Sequence, residues 1–423
     1  MNKAEIRAIE ISLVIFLTLV IMNSIKFVSA ITSLGSIGKF LFVLVFIGGA
    51  FAFVDKEKIR ISTLRFREWA IVVGLILFFA FVYMATTGDR YYLMPNIAFP
   101  LYFIFYFLLI KLYVRLHPLV SGQQILKQLQ YKLLSVFRTT LWFNFVFWFP
   151  LAILFRAQLF EESGGFGGFF EDEIHFGLYM VTGFLVSLYF RFNTIRRDRS
   201  YFNTFLLFLY GGTALFTSRN AFLIIVAALF YYYGVSKIKK HFYRVASFVL
   251  FFIGVNAFVI IRDINKAKLI EITSGRYQIW LLAFEEMYSK GKYFVGSGLF
   301  NLNDVILRKN KGIGFYYLDD LDSLSFHNSY IELLAAGGII AFVFLIIAIG
   351  KTWKKLTRID KSIVASILVG ASFESFLVQP FILIAVLFYM ILIINTIQVK
   401  VKIKKKKEIL VEENSITTTP LVG

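Results

Sequence analysis

His327, with Asn328, Ser329 and Tyr330 behind it, closes a polar segment of about 65 residues that begins near Arg262 and ends where a new apolar stretch starts. A segment of that length inside a compact protein needs a purpose, and its aromatic residues (Tyr277, Trp280, Phe284, Tyr288, Tyr293, Phe294, Phe300) allow it to bury surface of its own. It carries Arg276 in the string Ser274-Gly275-Arg276-Tyr277, a turn at Gly296-Ser297-Gly298, and one of only four histidines in the chain. An imidazole at the edge of an apolar phase is placed to act as a general base. Asn328 and Tyr330 supply groups able to orient that ring or to bind a hydroxylated substrate.

Arginine supplies the complementary chemistry. Arg219 follows Ser218 in a very short connection between two apolar runs, so a cation pinned there calls for an anion, with Ser218 as a further substrate-binding candidate. Arg276 stands at the expected start of a helix near Tyr277, and a guanidinium fork beside a helix N-terminus suits a diphosphate. The plainer reading of both is an ion pair with a nearby acid. For Arg262 it is snorkelling or a pair with Asp263. Glu374, expected in the middle of an apolar span, should face the bundle interior and either meet a cation or line a pathway. Asp320 and Asp322 form an Asp-x-Asp pattern that could hold a divalent ion, but a solvated acidic turn explains them as well. The chain has no phosphate-binding GxxxxGK[ST] loop, no GxSxG elbow and no HExxH helix, which points away from an ATP-driven machine.

These residues must be positioned by helices in a membrane. The 423 residues are 58% hydrophobic and 18% aromatic, with a mean hydropathy of +0.73. The fold class expected is therefore all-α, a polytopic bundle rather than a water-soluble domain. With no cysteine, disulfides and thiolate metal sites are excluded. About twelve spans are expected, near residues 8–27, 36–54, 69–87, 97–113, 133–155, 174–191, 200–217, 220–234, 244–261, 329–350, 362–378 and 380–398, the eighth of them short.

Alternate connections hold the Lys and Arg residues, so the formal charge of +19 reads as membrane orientation and not as a nucleic-acid surface. On that reading both termini are cytoplasmic, as are His117 and His241, while His175 and His327 face outward. The chain divides into spans over 1–261, an outward loop at 262–328, further spans over 329–398 and a basic tail at 399–423 whose composition predicts disorder.

In order along the chain stand Thr217-Ser218-Arg219 between two spans, Ser274-Gly275-Arg276 followed by Trp280, the Gly296-Gly298 turn, and His327-Asn328-Ser329-Tyr330 leading into a span with Gly337-Gly338. This set resembles the O-antigen polymerase and ligase superfamily, of Wzy and WaaL type. Two departures are visible, Asn220 where family members often have glycine after the arginine, and a loop of modest size that leaves less room for acceptor-binding structure.

The resemblance implies a GT-C-like membrane glycosyltransferase in a bacterial cytoplasmic membrane, working outside without metal or nucleotide. It implies that Arg219 and Arg276 hold the diphosphate of an undecaprenyl-diphosphate-linked glycan donor. His327 would take the proton of the attacking sugar hydroxyl, with inversion at the anomeric carbon. A lipid-linked acceptor would make the protein a repeat-unit polymerase, in company with flippase and chain-length-regulating proteins. A non-polyprenyl acceptor would make it a ligase. A lipid-linked oligosaccharide flippase is the alternative of another class, and it would place its ionisable groups near the midplane in broken helices.

Overall fold

A computed structural model of the chain describes residues 3–22, 25, 67–87, 96–97, 99–101, 103, 122–154, 166–170, 172–193, 197–238, 275–310, 324–379 and 382–396. The helices are α1 (Lys3–Met22), α2 (Arg67–Thr87), α3 (Gly122–Leu154), α4 (Glu173–Asn193), α5 (Arg197–Leu215), α6 (Arg219–Leu229), α7 (Arg276–Ser289), α8 (Asn301–Asn310), α9 (Ser329–Trp353), α10 (Arg358–Gly370) and α11 (Leu383–Thr396). Among the described residues there is no strand, only an isolated bridge between Ile25 and Phe170. Among the described residues, five helical stretches are long and apolar enough to cross a membrane: Arg67–Thr87, Leu126–Leu154, Glu173–Asn193, Arg219–Lys237 and Ser329–Trp353. The all-α character expected from composition is therefore seen among the described residues, with helices that suit a membrane in length and composition. The stretches expected at 36–54 and 244–261, most of 97–113, and the tail at 399–423 lie outside the described residues.

Burial separates the spans into inner and outer helices. In α4 the apolar window is 83% buried, against 22% for α2, so α4 is enclosed by protein while α2 leaves most of its surface for lipid. Close approach to α4 depends on small residues, since a Cβ on Gly183 would meet the Tyr210 ring of α5 at 2.7 Å and one on Gly177 would meet Ser218 Oγ at 2.8 Å. Helix α11, apolar on every side, is buried almost throughout.

Three sequence expectations need correction. Helix α3 begins at Gly122 instead of near 133, so Lys132 belongs to the helix, where its Nζ lies 3.1 Å from Glu10 of α1. The eighth span is not short. Helix α6 continues through a π turn at Phe230–Gly234 and a 3₁₀ turn at Val235–Lys237, and side chains of α10 insert into its ladder: Ser362 Oγ donates to Ala228 O at 2.6 Å and Arg358 Nε to Tyr232 O at 3.2 Å. The eleventh span is not continuous. Helix α10 stops at Gly370, a 3₁₀ turn at Phe376–Val378 follows, and α11 starts only at Leu383, so Glu374 lies in a helix break and not in mid-helix.

Helix α9 is broken too. Gly338 has φ 66 and ψ 178, a conformation that disfavours a Cβ, and the break frees carbonyls on its N-terminal side. The Gly296-Ser297-Gly298 turn fills it. Ser297 N donates to Ala335 O at 2.8 Å, Gly298 N to Ala336 O at 2.9 Å, and Ile339 N returns a bond to Tyr293 O at 2.7 Å. Asn96 holds the next residue from the other side, its Nδ2 donating to Leu299 O at 3.1 Å and its Oδ1 accepting from Leu299 N at 2.7 Å. Beneath the turn, α7, α8 and the start of α9 share a small core of Ile279, Met287, Leu302, Ile306, Phe326 and Ile331.

Candidate functional site

The site forms where two chain segments cross, His327 to Tyr330 at the start of α9 and Leu368 to Leu377 across the break after α10. The break exposes backbone groups that no helix satisfies, and the side chains of the first segment take them up. Ser329 Oγ donates to Glu374 O at 2.6 Å and accepts from Leu377 N at 3.1 Å. Asn328 Nδ2 donates to Ser372 O at 2.9 Å, and Tyr330 OH donates to Leu368 O at 2.6 Å. Asn328 Oδ1 meanwhile caps α9, accepting from Tyr330 N at 3.0 Å and Ile331 N at 3.2 Å. Both Asn328 and Tyr330, expected as substrate-binding groups, are therefore engaged in joining the two segments.

Glu374 is the hub of the charged groups. Its Oε1 accepts from Arg276 Nη2 at 2.8 Å and its Oε2 lies 3.2 Å from His327 Nδ1, with side chains 10%, 22% and 35% exposed for Glu374, Arg276 and His327. Arg276 Nη1 also donates to Phe373 O at 2.7 Å. Arg276 and His327, more than fifty residues apart, thus meet on one carboxylate, which answers what partner Glu374 has. Of the five N–H groups of the guanidinium, two are used among the described residues, and the side chain is 22% exposed. Arg276 opens α7 directly after Gly275, whose φ of 79 turns the chain into the helix.

His327 has a φ of 48, an uncommon conformation for a side chain with a Cβ. Its neighbours hold it there. Trp280 Nε1 donates to Phe326 O at 2.6 Å and Phe326 N donates to Glu332 Oε1 at 2.9 Å. The same oxygen of Glu332 accepts from Asn303 Nδ2 of α8 at 2.8 Å and lies 3.4 Å from Ser375 Oγ. Glu332 is a functional candidate the sequence reading missed. An acid in the first turn of a helix is ordinary there, and only its full burial, at 1% exposure, marks it out.

Arg219 is placed differently. It is exposed at the first turn of α6, after Ser218, whose Oγ caps that helix by accepting from Ala221 N at 3.3 Å. Asn220 is buried, its Oδ1 3.3 Å from where a Cβ on Gly370 would lie, so α6 begins beside the end of α10 from which the break leads to Glu374. Arg219 thus stands at the same end of the bundle as Arg276 and His327 but makes no bond to either among the described residues. The Asn220 side chain points into the α10 contact, where neither its Oδ1 nor its Nδ2 has a hydrogen-bond partner among the described residues. His175 belongs elsewhere. It is ion-paired with Asp172, whose carboxyl is lifted by burial but lowered further by His175, to a net position below the usual range. Asp320, Asp322, Arg262, Asp263, His117 and His241 lie outside the described residues.

Compared with known proteins, the chain matches no family model and no curated sequence.

Proposed function

We propose that this protein is a polysaccharide polymerase with about twelve spans and both termini in the cytoplasm. It transfers a glycan from an undecaprenyl-diphosphate-linked donor to a sugar hydroxyl of a lipid-linked acceptor at the outer face of a bacterial cytoplasmic membrane. The observation that carries this reading is the Arg276–Glu374–His327 array. With Nδ1–H donated to Glu374, the imidazole presents Nε2 as the acceptor of the hydroxyl proton. As the C1–O bond to phosphate breaks and the C1–O bond to the acceptor forms, the diphosphate leaves with the electron pair. The guanidinium of Arg276, with Arg219 at the same end of the bundle, supplies cations where that charge grows.

Purified protein in nanodiscs, given a lipid-diphosphate repeat unit alone, is expected to make a ladder of products. His327→Ala and Arg276→Ala should lose it while remaining folded. Unchanged ladders from both variants would overturn the assignment.

The second reading is a lipid-linked glycan transporter, favoured by the two helix breaks at Gly338 and at Glu374. Proteoliposomes that move the lipid-diphosphate unit between leaflets without lengthening it would establish that reading instead.

A further inference from the structure

Helix α7 has two apolar faces. Ile279, Ala283 and Met287 are buried in the loop core, and on the opposite side Leu281, Phe284 and Tyr288 are 41%, 38% and 78% exposed. The exposed stripe repeats at helical spacing, in line with Tyr277, and the polar residues Gln278, Glu285 and Ser289 lie to one flank of it. It continues into the segment after the helix. Tyr288 and Tyr293 have ring centroids 6.3 Å apart, Tyr293 OH donates to Phe284 O at 3.4 Å, and the next two residues, Phe294 and Val295, are 67% and 41% exposed. A solvated loop has no reason to expose three aromatic residues and two aliphatic ones in one band.

The backbone fixes the depth of this band. Tyr293 O accepts from Ile339 N inside the break of α9, roughly 15 Å along the helix from Ser329. Taken end to end, the 25 residues of α9 span about 37 Å, more than the roughly 30 Å of hydrocarbon, so Ile339, ten residues past Ser329, lies on the order of 8 to 15 Å inside the membrane boundary. From that point α9 itself presents Ile339, Ile340, Val343, Ile346 and Ile347 outward, each exposed, as a lipid-facing helix does. Phe294 and Val295 are joined to the top of that stripe.

We infer that the loop between Arg276 and Gly298 is a membrane-docking element, with Phe294 and Val295 in the acyl region and the outer face of α7 in the interfacial layer of the same leaflet. Its occupant is bilayer lipid. Tyr288, 78% exposed, suits that layer, with an apolar ring and a polar hydroxyl on one side chain. The consequence for the site is geometric: Arg276 opens the docked helix and Trp280 lies on it, so lipid contact holds both at the level of the membrane surface.

The absence of cysteine allows a direct test. Single-cysteine variants of the full chain at Tyr288, Phe294 and Val295 are spin-labelled in phosphatidylcholine–phosphatidylglycerol nanodiscs, and collisions with oxygen and with water-soluble nickel chelate are measured. Ile346→Cys serves as the lipid reference and Lys309→Cys, at a side chain 65% exposed on α8, as the water reference. The expected result is loss of nickel collisions and gain of oxygen collisions at 294 and 295, matching 346, with 288 intermediate. Nickel accessibility equal to that at 309 would overturn the inference, as would protection from both reagents, which would mean burial against protein.

Discussion

Gly296→Ala tests the geometry of the loop directly. A Cβ at this position would lie 2.0 Å from Ala336 O, 2.4 Å from Ala336 C and 2.6 Å from Gly337 N, all backbone atoms that cannot rotate away. The turn must therefore lift out of the α9 break, releasing the bonds Ser297 N to Ala335 O, Gly298 N to Ala336 O and Ile339 N to Tyr293 O. At about 0.5–1.5 kcal/mol net for each, their loss amounts to roughly 2–4 kcal/mol, nearer the upper figure where no water is present to replace them. A contact of 2.0 Å with fixed backbone exceeds the overpacking that a yielding core absorbs for about 1–3 kcal/mol, so the easier escape is undocking, at about 3 kcal/mol. That is roughly a hundredfold shift in the local opening equilibrium.

Hydrogen exchange in nanodiscs reads this at the amides of Ser297, Gly298 and Ile339. Two other glycines calibrate it. Gly291→Ala puts a side chain at φ +62 in open space and should cost only about 1 kcal/mol of backbone strain, and Gly74→Ala, inside α2 with nothing to meet, should stabilise that helix by about 0.5–1 kcal/mol and leave the three amides unchanged. If Gly296→Ala leaves the three amides as protected as Gly291→Ala does, the docking of the turn in the helix break is wrong.

Other outcomes follow from the site. Glu374→Gln keeps the shape but removes the charge shared by Arg276 and His327; it should cost about 2 kcal/mol in thermal unfolding and lower ladder formation roughly a hundredfold or more, with Glu374→Asp intermediate. Asn328→Ala should lose about 1–2 kcal/mol through the α9 cap and the bond to Ser372 O, and Asn328→Asp, which keeps the cap but turns a carboxylate oxygen toward Ser372 O, should not recover it in the same thermal assay. The Glu286 carboxyl is pushed up by burial but drawn further down by Lys290 and Lys309, to a net value below the ordinary carboxylate range. A depressed carboxyl contributes stability above its unfolded pKa of about 4.3, and this is lost as pH falls through the lower folded value. Proteolytic opening of the α7–α8 core should therefore rise below about pH 4, and high salt, which screens the exposed lysines, should blunt the difference.

The amino-acid sequence by itself determined that this is a helical membrane protein, because apolar runs of span length have no other stable form in lipid. It also marked the residues able to do chemistry, since an isolated histidine and arginines beside apolar runs are visible as types in a sequence. It placed α4 and α9 closely and put the start of α7 one residue late. It could not show where helices break, because the breaks at Gly338 and after Gly370 are stabilised by partners far along the chain, the turn at Gly296 and the side chains of Asn328, Ser329 and Tyr330. For the same reason Glu374 read as a lone carboxylate within a span and Glu332 did not stand out. Only the tertiary structure brought Arg276 and His327 onto opposite oxygens of Glu374, because that meeting depends on the crossing of two broken helices and not on any local pattern.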